Sequence, residues 1–143
     1  MPDDLTLQPL LQAMRRGVRL RIVVPGRHID SDTVHHASLA TWEPLLAAGA
    51  VIADHGPTMY LCKVPIVDGL LVSVGSTNFD NRSCRLNDEA TLNVVDPGFA
   101  AAQTATFETD LGLARQVSHA EWIDRTLRDR LGQALAALVH TQL

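Results

Sequence analysis

No stretch of this 143-residue chain reaches 18 uncharged apolar residues, so none reads as a membrane-spanning helix. The start, Met1-Pro2-Asp3-Asp4, is acidic and has no apolar core, unlike a signal peptide. Cysteine is scarce: Cys62 and Cys84 are the two present, and CxxC and zinc-type spacings are missing. A secreted disulfide framework is therefore excluded, and both thiols read as small buried residues in a reducing compartment. Positive charge is not in excess, because Lys+Arg 12 against Asp+Glu 16 leaves a net charge of −4. That balance argues against a protein that coats nucleic acid and leaves room for a local basic pocket. No repeat period, low-complexity tract or internal linker is found, which excludes arrays and stalks. Lysine is the rarest charge: eleven of the 12 basic residues are Arg, and the exception is Lys63. Position 63 thus calls for a compact ammonium and not a planar fork.

At 46% hydrophobic residues the chain is globular, and its length suits one domain, 1–143, burying roughly 70% of its unfolded surface. Leu5, Leu7, Leu10, Leu11 and Met14 recur at helical spacing over 4–16, with Asp3 or Asp4 as cap and Gly17 as the stop. Residues 18–24 read as a strand closed by Pro25-Gly26, residues 33–48 as a helix ended by Gly49, and 51–53 as a short strand. A helix joining two strands implies a βαβ unit with parallel pairing. Residues 59–67 and 70–74 read as strands around an Asp68-Gly69 hairpin turn, and 89–95 as another strand. Asp96-Pro97 starts a helix to about Leu113. Ser118-His119-Ala120-Glu121 is a capping box opening a last helical region to about His140, with Leu127, Leu131, Leu135 and Leu138 on a core- or partner-facing stripe.

The chemically dense segment is 63–89. Lys63, Ser76 and Asn78 around a tight glycine turn at Gly75 supply an ammonium, a hydroxyl, an amide and exposed backbone N–H groups, a set suited to phosphate. The same residues also fit an ordinary hairpin with a buried-stem lysine and a polar turn, and spacing alone leaves both readings open.

The strings Lys63-Val64-Pro65-Ile66-Val67-Asp68, Gly75-Ser76-Thr77-Asn78-Phe79-Asp80-Asn81-Arg82-Ser83 and Leu86-Asn87-Asp88-Glu89-Ala90 resemble the second HKD motif of the phospholipase D superfamily. They are most similar to the bacterial cardiolipin synthases, and the flanks Ile22-Val23-Val24-Pro25-Gly26, Pro57-Thr58-Met59-Tyr60 and Leu92-Asn93-Val94 agree. The resemblance implies an α/β fold, a three-layer α/β/α sandwich on a mixed sheet. It implies a C-terminal half of a two-lobe protein, with its first strand missing before Pro2. It also implies transfer between phosphodiesters through a phosphohistidine, with a second histidine from another half protonating the leaving alcohol and with no metal or other cofactor. By position, Lys63, Ser76 and Asn78 would hold the phosphate, Glu89 would orient a catalytic histidine, and Asp68 would fix the turn.

Two departures bear on activity. The family histidine falls at Leu61, which can neither attack phosphorus nor shuttle a proton. Positions 61 and 63 would share one strand face, so the slot is right and the side chain is not. His55 lies six residues upstream, a reach of about 20 Å in an extended chain, with Gly56 and Pro57 between. Pro65 sits in a strand that is central in the family, where proline removes a ladder donor. Three functions follow. The first is a cardiolipin synthase-like phosphatidyltransferase domain, taking phosphatidylglycerol to cardiolipin plus glycerol, impaired by Leu61. The second is a non-catalytic module binding a phosphate or phospholipid headgroup. The third is a one-motif phosphodiesterase or nuclease formed by a homodimer, against which Leu61 speaks. The partners implied are a phospholipid and a second HKD half or second copy, not nucleic acid. The implied location is the bacterial cytoplasm or the cytoplasmic membrane's surface.

Overall fold

The computed structural model describes residues 4–26, 42–58, 60–76 and 89–124. Helix α1 (Asp4–Arg15) puts Leu7, Leu10, Leu11 and Met14 on one face, against the core. It stops where the periodicity predicts. Gly17 takes φ 96, its N–H donates to the Met14 carbonyl (2.9 Å), and the Val18 N–H reaches Ala13 (3.1 Å). This Schellman closure needs the left-handed conformation that glycine adopts without strain. Helix α2 (Trp42–Ala47) ends in the same way at Gly49, φ 91. The rest of the helix expected from 33, and the leucine stripe beyond 124, lie outside the described residues.

Strand β1 (Arg21–Pro25) and strand β2 (Val51–His55) pair in parallel from Arg21↔Val51 to Pro25↔His55. This is the expected βαβ arrangement, with α2 between the strands in sequence. Strand β3 (Ile66–Val67), strand β4 (Leu71–Gly75) and strand β5 (Thr91–Val95) form an antiparallel meander. Asp68 (φ 51) and Gly69 (φ 63) turn the β3–β4 hairpin, closed by the Leu70 N–H on the Val67 carbonyl at 3.0 Å. Helix α3 (Pro97–Leu113) starts as read: the Asp96 Oδ1 accepts from the Phe99 N–H at 2.6 Å, and Pro97 occupies the first turn, where its missing N–H costs nothing. Strand β6 (Arg115–Val117) follows and was not foreseen. It pairs antiparallel with β2, making the first ladder a mixed sheet of order β1-β2-β6. Helix α4 (His119–Ile123) opens on the capping box, with the Ser118 Oγ accepting from the Glu121 N–H and the Ser118 N–H donating to the Glu121 Oε2, both 3.1 Å.

The strand pleat sorts the layers. Leu20, Ile22, Val24 and Ile52 face a core built with Leu7, Trp42, Leu45, Leu46, Val117 and Trp122, in which the two indoles stack at 5.3 Å. Arg21 points to the other side, where its guanidinium lies over Phe107 (5.1 Å) and pairs with Glu108 (2.7 Å) on α3. That hydrogen bond holds the Glu108 carboxyl below the usual carboxylate range. The result is the expected α/β fold: helices on one face of the mixed sheet, and α3 on the other. Helix α3 also packs on the meander, so it spans both ladders.

One element differs from expectation. The strand read over 59–67 reduces to Ile66–Val67, and residues 60–65 follow an irregular path. Pro65 supplies the reason. The Ser73 N–H donates to its carbonyl at 3.0 Å, but proline has no N–H to return the bond, so the ladder stops there.

Candidate functional site

Ser76 and Glu89 lie where the end of β4 meets the start of β5, and the irregular 60–65 segment leads into β3. Lys63 lies on that segment, not in a strand, and is half-buried. Its Nζ donates to the Leu61 carbonyl two residues back, at 3.3 Å. With no ladder to hold them, Leu61 and Lys63 are not placed by a strand face as the sequence suggested. Leu61 is 61% exposed, a large apolar side chain in water at the position where the resemblance puts a histidine.

Ser76 follows β4 directly. Its N–H donates to the Ala90 carbonyl (3.0 Å), and the Ala90 N–H donates back to its Oγ (3.1 Å). Among the described residues the Ser76 O–H makes a long 3.5 Å contact to the Ala90 carbonyl. The hydroxyl thus accepts from the Ala90 N–H through one lone pair and gives its proton only to a long contact, for which an anion would compete. Gly75 is required here by packing. A Cβ would run into the Ala90 carbonyl oxygen and into Thr91, the backbone of the neighbouring strand. Glu89 is half-buried just before β5, which begins two residues later than read. Asp68 is at the exposed hairpin tip, in the turn itself. Asn78 lies outside the described residues. The structure therefore brings Gly75 and Ser76 against Ala90, next to Glu89 in the chain, and puts Lys63 on the segment entering the same meander.

A second group was not legible in the sequence. The chain reverses over Gly56–Thr58, so the extended-chain estimate of 20 Å for His55 does not hold. The His55 ring packs 4.8 Å from the Tyr60 ring, and its Nε2 lies 3.3 Å from the Thr58 Oγ1. The ring is buried, at 5% exposure, and its Nδ1 has no hydrogen-bond partner among the described residues. Tyr60 donates its hydroxyl to the Asp110 Oδ2 on α3 at 3.0 Å. Burial, then the hydrogen bond to Asp110 and that carboxylate's charge, push the phenol well above the ordinary tyrosine range. Nothing in local spacing links residues 60 and 110; only the turn over 56–58 and the packing of α3 bring them together.

Two three-stranded ladders bridged by α3, with a single lysine and a Gly-Ser step at one meander, define a phospholipase D-like α/β domain. The known structure of a phospholipase D family member, Nuc from Salmonella typhimurium, superposes on it with TM-score 0.72, covering 82% of this chain and 76% of that one at 23% identity, a likeness of fold. The sequence profile described as "Cardiolipin synthase, PLD-like domain" matches residues 1–111, and the chain belongs to that family. It is 38% identical over 135 residues to cardiolipin synthase A of Erwinia tasmaniensis, covering 94% of this chain and 28% of that protein. It is 32% identical over 140 residues to the minor cardiolipin synthase ClsB of Bacillus subtilis, covering 95% of this chain and 35% of that protein. The chain thus spans about a third of the length of these curated relatives. No helix among the described residues is long and apolar enough to cross a membrane.

Proposed function

We propose that this chain is a phosphate-holding phospholipase D domain of the cardiolipin synthase type, with a phospholipid headgroup as its ligand and without the transfer step. The observation that carries the reading is Leu61. It stands two residues before the chain's one lysine, exposed, at the position the resemblance gives to the nucleophile. In the reaction the resemblance implies, a histidine nitrogen attacks the phosphorus of phosphatidylglycerol. The bond to the glycerol oxygen breaks, and glycerol leaves with a proton from a second histidine. The hydroxyl of another phosphatidylglycerol then gives its proton to the second histidine and displaces the first, giving cardiolipin. A leucine side chain offers no lone pair and no transferable proton, so neither role can be filled from position 61.

Binding does not depend on that histidine. The Lys63 ammonium needs only to leave the Leu61 carbonyl to meet a phosphate oxygen, and the Ser76 O–H has a donor to give. Asn78 would add an amide donor, Glu89 would sit behind the site, and Asp68 would hold the turn. A second HKD half would supply its own histidine, whereas a second copy of this chain would bring only another Leu61; 1–143 would then be one half of a two-lobe arrangement working on lipid at the membrane surface. The test uses the purified chain with phosphatidylglycerol vesicles and, separately, with glycerol phosphate. The expected result is no cardiolipin formed, and glycerol phosphate binding that weakens roughly tenfold or more in Lys63→Ala, the loss of one charge-assisted contact. Turnover that survives Lys63→Ala would sink the assignment.

A further inference from the structure

We propose that the Tyr60–Asp110 hydrogen bond is the tether that sets the position of Lys63, which makes Tyr60 and Asp110 positioning residues of the candidate site. The phosphate arm of this inference rests on the function proposed above; the tether itself does not.

The ladder that would place Lys63 ends at Pro65, which accepts from Ser73 and cannot donate back. Among the described residues no backbone-to-backbone hydrogen bond reaches 60–64. Among the described residues the Lys63 side chain bonds within its own segment, to the Leu61 carbonyl. What ties the segment to the rest of the fold is the Tyr60 hydroxyl on the Asp110 carboxylate, 3.0 Å apart and 50 residues distant in sequence. Asp110 is a sound anchor because α3 packs on both ladders. His55 backs the Tyr60 ring. Tyr60 turns toward α3, while Leu61 and Cys62 are both exposed, the latter against its reading from the sequence as a small buried residue. Lys63 is three residues past the tether and two before the last ladder bond, so each fixes one end of the short span that carries it. Without the tether the span is held at one end and Lys63 samples many positions. A hydrogen bond to a charged acceptor is among the stronger of its kind. The raised phenol pKa keeps the donor proton in place through neutral and mildly alkaline pH.

The sequence provides its own probe. Lys63 is the chain's one lysine, so reductive methylation with carbon-13 formaldehyde puts a single dimethyllysine signal on the full chain, apart from the α-amine. The charge is kept. In Tyr60→Phe the signal should move toward that of free dimethyllysine, and the affinity for inorganic phosphate read from its shift should fall roughly five- to tenfold. Asp110→Asn keeps an acceptor oxygen and should retain both properties, whereas Asp110→Leu should match Tyr60→Phe. Melting curves confirm that each variant is folded at the assay temperature, and the two Asp110 variants decide the matter if Tyr60→Phe does not fold. A folded Tyr60→Phe chain with an unmoved Lys63 signal would overturn the tether. Equal signals for Asp110→Asn and Asp110→Leu would do the same. Absence of any phosphate-induced shift in the parent chain would instead count against phosphate binding, and the Lys63 signal in the variants would still decide the tether.

Discussion

Gly75→Ala separates two reasons for a glycine before Ser76. If glycine serves only to bare a backbone N–H for phosphate, alanine should spare stability and weaken binding. The structure gives a different answer. A Cβ at position 75 would collide with the Ala90 carbonyl oxygen and come within 2.7 Å of the Thr91 Cα and Oγ1. Two of these three atoms belong to backbone, so no side-chain rotation relieves the clash. Strands β4 and β5 must part at the Gly75↔Thr91 pair, and the Ser76–Ala90 hydrogen bonds at 3.0 and 3.1 Å stretch with them. Overpacking of this kind costs about 1–3 kcal/mol, and each weakened hydrogen bond about 1 kcal/mol. The sum is about 3–5 kcal/mol, or roughly 10–20 °C of melting temperature in a domain of this size. Thermal melting followed by circular dichroism reads it directly. Gly112→Ala is the contrast. A Cβ there meets nothing within 4 Å, and the residue lies in α3, so alanine should stabilise by up to about 1 kcal/mol. If Gly75→Ala melts within about 2 °C of the parent, the close approach of the two strands is wrong.

Two further outcomes follow from the titrating groups. Tyr60 is the chain's one tyrosine, so tyrosinate absorbance reports it alone. Its raised pKa means the folded state favours the phenol: the contribution is complete below the ordinary tyrosine value near 10, and is lost as pH rises through the higher folded value. The folded chain should show no tyrosinate step near pH 10, and a step there would contradict the burial of Tyr60 together with its Asp110 contact. At α4, Ser118→Ala should cost about 1 kcal/mol in urea unfolding at neutral pH, the usual worth of an N-cap. The Ser118 N–H, then its hydroxyl, hold the Glu121 carboxyl below its ordinary range, so this contribution is present above the usual glutamate value and disappears as pH falls through the folded one. Glu121→Gln should remove that part of the acid dependence.

What could be read from residues alone was local chemistry. Asp96-Pro97 and Ser118-x-x-Glu121 each carry their own hydrogen-bonding instruction, and both helices begin where those residues say. Gly17 and Gly49 stop their helices for the same reason. The 59–67 strand failed because apolar alternation was weighted above Pro65, although the missing donor was plain in the sequence. Strand β6 escaped notice because Arg115-Gln116-Val117 is too short to show a period and exists only through its pairing with β2. The family motif pointed to Lys63, Ser76 and Glu89, but not to the contact from Tyr60 to Asp110. No rule of spacing joins side chains 50 residues apart.

Strand β6 also bears on how the chain reaches this state. The meander and α3 are built from neighbours in sequence and can form early. The Ile52↔Val117 pairing instead closes a loop of roughly 60 residues around all of them, an entropic cost of about 3–4 kcal/mol. Those three residues are therefore expected to dock late, like a latch drawn across a finished assembly. Substitutions in Arg115–Val117 should then quicken unfolding while leaving the folding rate nearly unchanged.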